Sequence, residues 1–139
     1  MEKYMKMQFK ANIENVSLAR AVTACFLVDS DLTISTLNEI KTIVSEAVTN
    51  AIVHGYHEDN ISLVSITLSL TEDLLTIIIS DDGGGIEDID KARAPLFSTK
   101  LGEERAGLGF TIMEVFSDEL YVDSTFGKGT TVSCIKKIA

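Results

Sequence analysis

The stretch from Thr36 to Gly55, TLNEIKTIVSEAVTNAIVHG, constrains this chain more than any other. Leu37, Ile40, Val44, Ala47, Val48 and Ala51 recur at three- and four-residue spacing. They form one apolar stripe of a long helix. Gly55 supplies the helix stop. Glu46 and Asn50 lie four apart, so they stack one turn apart on a face that is not the apolar stripe. Alone, such a carboxylate and carboxamide describe an ordinary solvated helix face. Two glycine-rich segments later in the chain change that. Asp81-Asp82-Gly83-Gly84-Gly85 comes first, then Gly107-Leu108-Gly109, with a polar stretch between them.

The chain around this helix is short. Its 139 residues suit one domain, and 45% apolar with 24% charged residues is ordinary for a globular protein. No apolar run approaches the roughly 18–20 residues of a membrane span. The N-terminus alternates apolar and polar residues and has no leader-like apolar core, so a cytoplasmic location is expected. The net charge of −9 disfavours direct binding to nucleic acid, which needs a basic surface. Cys25 and Cys134 have no metal-ligand spacing and read as buried, reduced thiols.

In chain order, alternation places Met5, Met7, Phe9, Ala11 and Ile13 on the inner face of a strand over 5–13. Asn15 or Ser17 caps a first helix to about Leu27, with Leu18, Val22, Cys25 and Phe26 inward and Glu14 and Arg20 near its exposed side. Residues 63–70 and 74–80 read as a hairpin whose second strand runs straight into Asp81. A short helix is expected over 88–94, ended by Pro95. Residues 95–107 carry no packing stripe and read as a lid. A helix follows from Leu108 to Phe116, then two strands around the Gly127-Lys128-Gly129 turn. Helices come in runs rather than alternating with strands. The expected fold is therefore an α+β two-layer sandwich, a mixed and mostly antiparallel sheet with three helices on one face.

The chemistry these segments allow is phosphate chemistry. Asp81 at a strand end reads either as a plain turn or as a carboxylate for an exocyclic amine such as that of adenine. The glycines after it permit close approach of a ligand to the backbone. Gly107-Leu108-Gly109 before a helix reads as a hinge, as an anion site of free N–H groups, or as both. Lys100 and Arg105 in the lid can reach phosphate oxygens or stand as plain surface cations. Asn50 is a neutral oxygen ligand suited to Mg²⁺, and Glu46 beside it can orient or deprotonate a hydroxyl. His54 reads as a histidine at the helix end.

In this order the three motifs resemble the N, G1 and G2 boxes of the GHKL ATPase/kinase superfamily, which includes gyrases and histidine kinases. The N box is Glu46 to Asn50, the G1 box is Asp81-x-Gly83-x-Gly85-Ile86, and the G2 box is Gly107-Leu108-Gly109-Phe110. Gly129-Thr130-Thr131 is similar to the superfamily's last G-T element. EIKTIVSEAVTNAIVHGY and ARAPLFSTK with ERAGLGFTIME further resemble the anti-sigma F factors of spore-forming bacteria, a family of partner-switching serine-protein kinases. That resemblance implies a GHKL (Bergerat) ATP-binding fold. It implies a cytoplasmic homodimer that binds ATP or ADP with Mg²⁺ and holds a sporulation sigma factor away from RNA polymerase. It implies phosphorylation of a serine on an anti-anti-sigma factor, which inactivates that factor. By position it makes Glu46 the catalytic base, Asn50 the Mg²⁺ ligand and Asp81 the adenine reader. Gly83, Gly85, Gly107, Leu108 and Gly109 become elements of the nucleotide pocket. Thr99, Lys100 and Arg105 become lid contacts, Arg105 to the γ-phosphate, and Thr130 a contact near adenine. Glu14 and Arg20 become partner-binding residues.

Related readings are a sister switch kinase for a stress sigma factor, the ATP-binding half of a sensor histidine kinase, and an ATP-gated sigma-binding module without kinase turnover. No dimerising hairpin with a phosphoacceptor histidine is visible, and His54 sits inside the N-box helix. A pure binding module has no need of a base at Glu46.

Overall fold

The computed structural model describes residues 2–86, 88, 89, 93 and 104–138, with only the backbone of 104–107. Along the chain run β1 (Glu2–Lys10), α1 (Asn15–Phe26), α2 (Ile34–Asn50), a π turn (Ala51–Gly55), β2 (Leu63–Thr71), β3 (Leu74–Asp81), α3 (Glu104–Phe116), β4 (Glu119–Thr125) and β5 (Gly129–Lys137). The five strands form one sheet in the order β1-β2-β3-β5-β4. Every pairing among them is antiparallel, so the sheet expected to be mixed has no parallel pair among the described strands.

Alternation decides the layers. Val64, Ile66 and Leu68 of β2 and Leu75, Ile77 and Ile79 of β3 are buried. Register sets Ile66 beside Ile79 and Leu68 beside Ile77, and continues the rows to Val132 and Cys134 of β5. The opposite face carries Ser65, Thr67, Ser69, Thr76 and Ser133, which tolerate water. Onto the apolar face pack Ile40, Ile43, Val44, Ala47, Val48 and Ile52 from α2 and the turn after it, with Met113 from α3. The α2 stripe is the expected one, with Ile43 and Ile52 added and Leu37 only partly buried.

Two lysines close helix ends. Lys3 Nζ donates to Phe26 O at 2.6 Å at the end of α1 and lies 4.8 Å from the Phe26 ring centroid. Lys136 Nζ donates to Phe116 O at 2.6 Å at the end of α3 and pairs with Glu39 at 3.5 Å. Each cation meets the unsatisfied carbonyl end of a helix.

Several local expectations shift. β1 ends at Lys10 rather than Ile13, because Asn12 N–H turns back to Lys10 O at 2.7 Å and Asn12 Oδ1 accepts from Glu14 N–H at 2.9 Å. Ile13 is thereby exposed. Neither Asn15 nor Ser17 caps α1; the cap position is Glu14, and Asn15 Nδ2 donates to Lys10 O instead. The helix is also rotated from the expected face. Val16, Ala19, Thr23 and Phe26 are buried, whereas Leu18 and Cys25 are exposed. Thr23 can enter the core because its hydroxyl donates to Ala19 O at 2.8 Å, leaving no unpaired proton. Of the two thiols only Cys134 is buried. α2 begins two residues before Thr36, capped by Thr33, whose hydroxyl oxygen accepts Thr36 N–H at 3.0 Å. The helix expected over 88–94 and the lid expected over 95–107 lie largely outside the described residues.

Candidate functional site

The site is built where α2 meets α3. Glu46 is 5% exposed although it lies off the apolar stripe, because α3 covers it. Gly109 is the residue of α3 that faces it. A Cβ at Gly109 would stand 3.3 Å from both Glu46 Oε2 and Asn50 Nδ2, and 3.5 Å from Asn50 Oδ1. Glu46 and Asn50 therefore do share one face, as their spacing requires, and a glycine lies directly over both. Asn50 Nδ2 is buried with no hydrogen-bond partner among the described residues. A buried amide N–H left unpaired carries a desolvation cost of about 1–3 kcal/mol, which a ligand can offset.

This geometry corrects one expectation. Gly107-Leu108-Gly109 does not precede a helix; it lies inside α3, which begins at Glu104. The N–H of Gly109 is thus past the first helical turn, and its glycine is explained by space rather than by a free donor. Leu108 is half-buried in the same helix.

The far end of α2 reaches the second glycine segment. Tyr56 N–H donates to Ala51 O at 3.1 Å, closing the π turn that follows Asn50. The turn delivers Gly55 against β3, where a Cβ on Gly55 would stand 2.7 Å from Asp81 Oδ1. Gly55 O accepts Gly84 N–H at 3.1 Å. A Cβ on Gly83 would fall 2.0 Å from Gly55 O, so only glycine fits there. The Tyr56 hydroxyl donates to Leu63 O at 2.9 Å and accepts Asp82 N–H at 2.5 Å. Burial raises the Tyr56 pKa, with the Asp82 charge adding to that effect and its N–H opposing it.

Asp81 ends β3 and is 8% exposed. Burial pushes its pKa up; the Gly83 N–H, 2.9 Å from Oδ1, pulls it down, the charge of Asp82 raises it and the Thr130 backbone lowers it. Asp81 is directly opposite Thr130 in the β3–β5 register. Thr130 Oγ1 lies 2.9 Å from Ser124 Oγ, which also accepts Ile86 N–H at 2.7 Å. Gly85 has φ of +71° and lies so close to Thr125 that a Cβ would be 2.3 Å from its carbonyl oxygen. Both requirements select glycine.

The structure thus brings Glu46, Asn50 and Gly109 together, and separately Asp81, Gly83, Gly85 and Thr130. Of Arg105 and Gly107 only the backbone is described, in the first turn of α3, and Thr99 and Lys100 lie outside the described residues. Glu14 holds the N-terminal cap position of α1, and Arg20 stands on the helix. Sequence reasoning missed Tyr56 and Ser124 as the residues that anchor the glycine loop at its two ends. It read Gly55 only as a helix stop. The signal for Gly55-Tyr56 was their place just after Asn50; nothing in the periodicity marks Ser124.

Comparison with known proteins agrees with this geometry. The family model described as histidine kinase-like ATPase domain matches residues 9–136. A Geobacillus kaustophilus protein named anti-sigma F factor is 50% identical over 139 residues, covering 100% of this chain and 95% of that one. A Thermoanaerobacter protein of the same name is 51% identical over 134 residues, covering 96% and 93%. Among solved structures, the RsbU and RsbW domains of a Mycobacterium tuberculosis protein superpose with TM-score 0.71 at 19% identity, over 98% of this chain. This chain spans 32% of that longer chain, and the likeness shows the shared fold. With half of its residues shared along its full length and the N-box pair facing the glycine of α3, the chain belongs to the histidine kinase-like ATPase domain family and, within it, to the anti-sigma F factors.

Proposed function

We propose that this protein is a partner-switching protein-serine kinase. It binds Mg·ATP in the site above, holds a sporulation sigma factor away from RNA polymerase, and phosphorylates a serine of an anti-anti-sigma factor. It does so as a cytoplasmic homodimer. The observation that carries the reading is the pairing of a buried carboxylate, Glu46, with Asn50, whose amide nitrogen has no partner among the described residues, against Gly109. The name shared by the half-identical relatives supports the sigma factor of sporulation over a stress sigma factor.

Each residue has a role in this reading. Asn50 offers Oδ1 to Mg²⁺, a cation that takes few protein ligands. Phosphate oxygens and water would complete the coordination, since Mg²⁺ keeps several waters. When bound, Mg²⁺ neutralises charge on the transferring phosphoryl group. Glu46 accepts the proton of the serine hydroxyl as its oxygen bonds to the γ-phosphorus and the bond to the β–γ bridging oxygen breaks. General-base help of this kind contributes ~10²–10⁴-fold. Asp81 accepts from the exocyclic amine of adenine, with Thr130 beside it. Gly83 and Gly85 let the backbone approach the nucleotide, Gly109 leaves it room over Asn50, and Gly107 and Leu108 shape the same wall. Thr99, Lys100 and Arg105 meet the phosphates. Glu14 and Arg20 meet the protein partners.

The test is transfer of labelled γ-phosphate from Mg·ATP to an anti-anti-sigma protein, with Glu46→Gln as control. Label on the partner serine, lost in the variant while nucleotide affinity stays, is the expected result. No label on the partner despite tight nucleotide binding would leave an ATP-gated sigma-binding module instead.

A further inference from the structure

Glu46 has a second side. Besides facing Gly109, it lines a groove of about 300 Å³ between α1 and α2, together with Arg20, Asn38, Lys41, Thr42 and Ser45. The hydroxyl protons here are already used: Ser45 Oγ donates to Lys41 O at 2.8 Å and Thr42 Oγ1 to Asn38 O at 2.8 Å. Arg20 is set in place from both ends of its guanidinium, Nη1 donating to Ser45 Oγ and Nη2 to Ser17 Oγ, each at 3.1 Å. Among the described residues neither Arg20 nor Lys41 is in an ion pair; the pairs are Arg93–Glu114 and Lys136–Glu39. A chain of net charge −9 thus places two cations, neither in an ion pair among the described residues, along a groove that the buried Glu46 also lines.

We propose that this groove is the channel by which the acceptor segment reaches Glu46, and that Lys41 selects a segment with a carboxylate beside its serine. The inference rests on the kinase reading above and adds its sequence preference. Donors in the groove are mostly cationic, so the complementary ligand is rich in anionic acceptors. A serine hydroxyl carried at the end of such a segment meets Glu46 from the α1 side while the nucleotide lies on the α3 side. The hydroxyl then stands between the carboxylate, which takes its proton, and the γ-phosphorus, to which its oxygen bonds as the β–γ bridging bond breaks. Lys41 is the specificity residue because it is flexible and its charge is uncommitted, whereas Arg20 is already oriented by two serines.

The experiment is a backbone-amide NMR titration of the full chain with three serine peptides of one length. The serine is flanked by aspartates in the first, asparagines in the second and lysines in the third. The aspartate peptide is expected to shift the amides from Asn38 to Glu46 and to bind ~10-fold more tightly than the asparagine peptide. Lys41→Glu is expected to abolish that preference and leave nucleotide affinity unchanged. Equal binding of all three peptides, no binding, or shifts confined to another surface would overturn the proposal. Transfer from labelled ATP to the same peptides separates the two readings. Preference without transfer supports the groove and removes the kinase. Transfer with an unchanged preference in Lys41→Glu removes the groove and keeps the kinase.

Discussion

Gly55 and Asp81 touch with no room for a methyl group: a Cβ on the glycine would stand 2.7 Å from the carboxylate Oδ1. The end of the helix that carries Glu46 and Asn50 is therefore the wall against which Asp81 is set. The two halves of the site are held in one frame through this contact and through the Gly84 N–H bond to Gly55 O.

Gly55→Ala should move Asp81 without unwinding α2, since Gly55 is not among the positive-φ residues. Loss of a charge-assisted hydrogen bond from a displaced carboxylate corresponds to ~10-fold weaker nucleotide binding or more. A calorimetric titration with ATP checks this; wild-type affinity in the variant would show that the contact does not position Asp81.

Asp81 should cost the fold stability at neutral pH. Burial raises its folded-state pKa above the unfolded value, so the folded state holds the proton more tightly. Its stabilising contribution is then complete below the unfolded pKa and is lost as pH rises through the folded one. Asp81→Asn should accordingly flatten the stability–pH curve on the acid side and leave the protein as stable or more stable at pH ~7, while nucleotide binding falls. Denaturant unfolding of both proteins across acid to neutral pH reads the sign directly. A variant less stable than wild type at neutral pH would refute it.

Gly109→Ala separates space from stability. Alanine is favoured over glycine in a helix by about 1 kcal/mol, and crowding at 3.3 Å from Glu46 and Asn50 opposes that gain. The unliganded melting temperature should change little, while Mg·ATP affinity drops because the room over Asn50 is filled. A large fall in melting temperature with affinity intact would reverse the assignment.

Tyr56→Phe removes the hydroxyl that joins Asp82 N–H to Leu63 O. A net loss of about 1 kcal/mol is expected for such bonds, together with weaker nucleotide binding from a loosened glycine loop. The KM for ATP should rise while phosphate transfer at saturating ATP is kept; a fall in transfer rate alone would place Tyr56 nearer the chemistry.

Much of this was legible in the residues. Alternation in 63–70 and 74–80 and the α2 stripe translate directly into buried and exposed faces, because strand and helix periods are properties of the local backbone. α1 was misread because its inward face carries Thr23 and Ala19 while Leu18 and Cys25 point out. Hydrophobicity alone cannot register a threonine whose proton is returned to its own helix. The place of Gly109 was misread for a related reason. A glycine pair looks like a helix start, yet here α3 runs through it, and the missing side chain makes room over Glu46 and Asn50.

By itself, then, the sequence determined the five strands and, apart from their ends, the three long helices, the order of three glycine- and carboxylate-bearing motifs, and the one-turn spacing of Glu46 and Asn50. Those follow from chain periodicity and need no knowledge of distant contacts. Only the tertiary structure decided that Glu46 is buried and faces a groove as well as Gly109, that Gly55 walls in Asp81, and that Tyr56 and Ser124 hold the glycine loop. Burial, desolvation and close approach depend on what the fold lays against a residue, and that is set by elements far away in the chain.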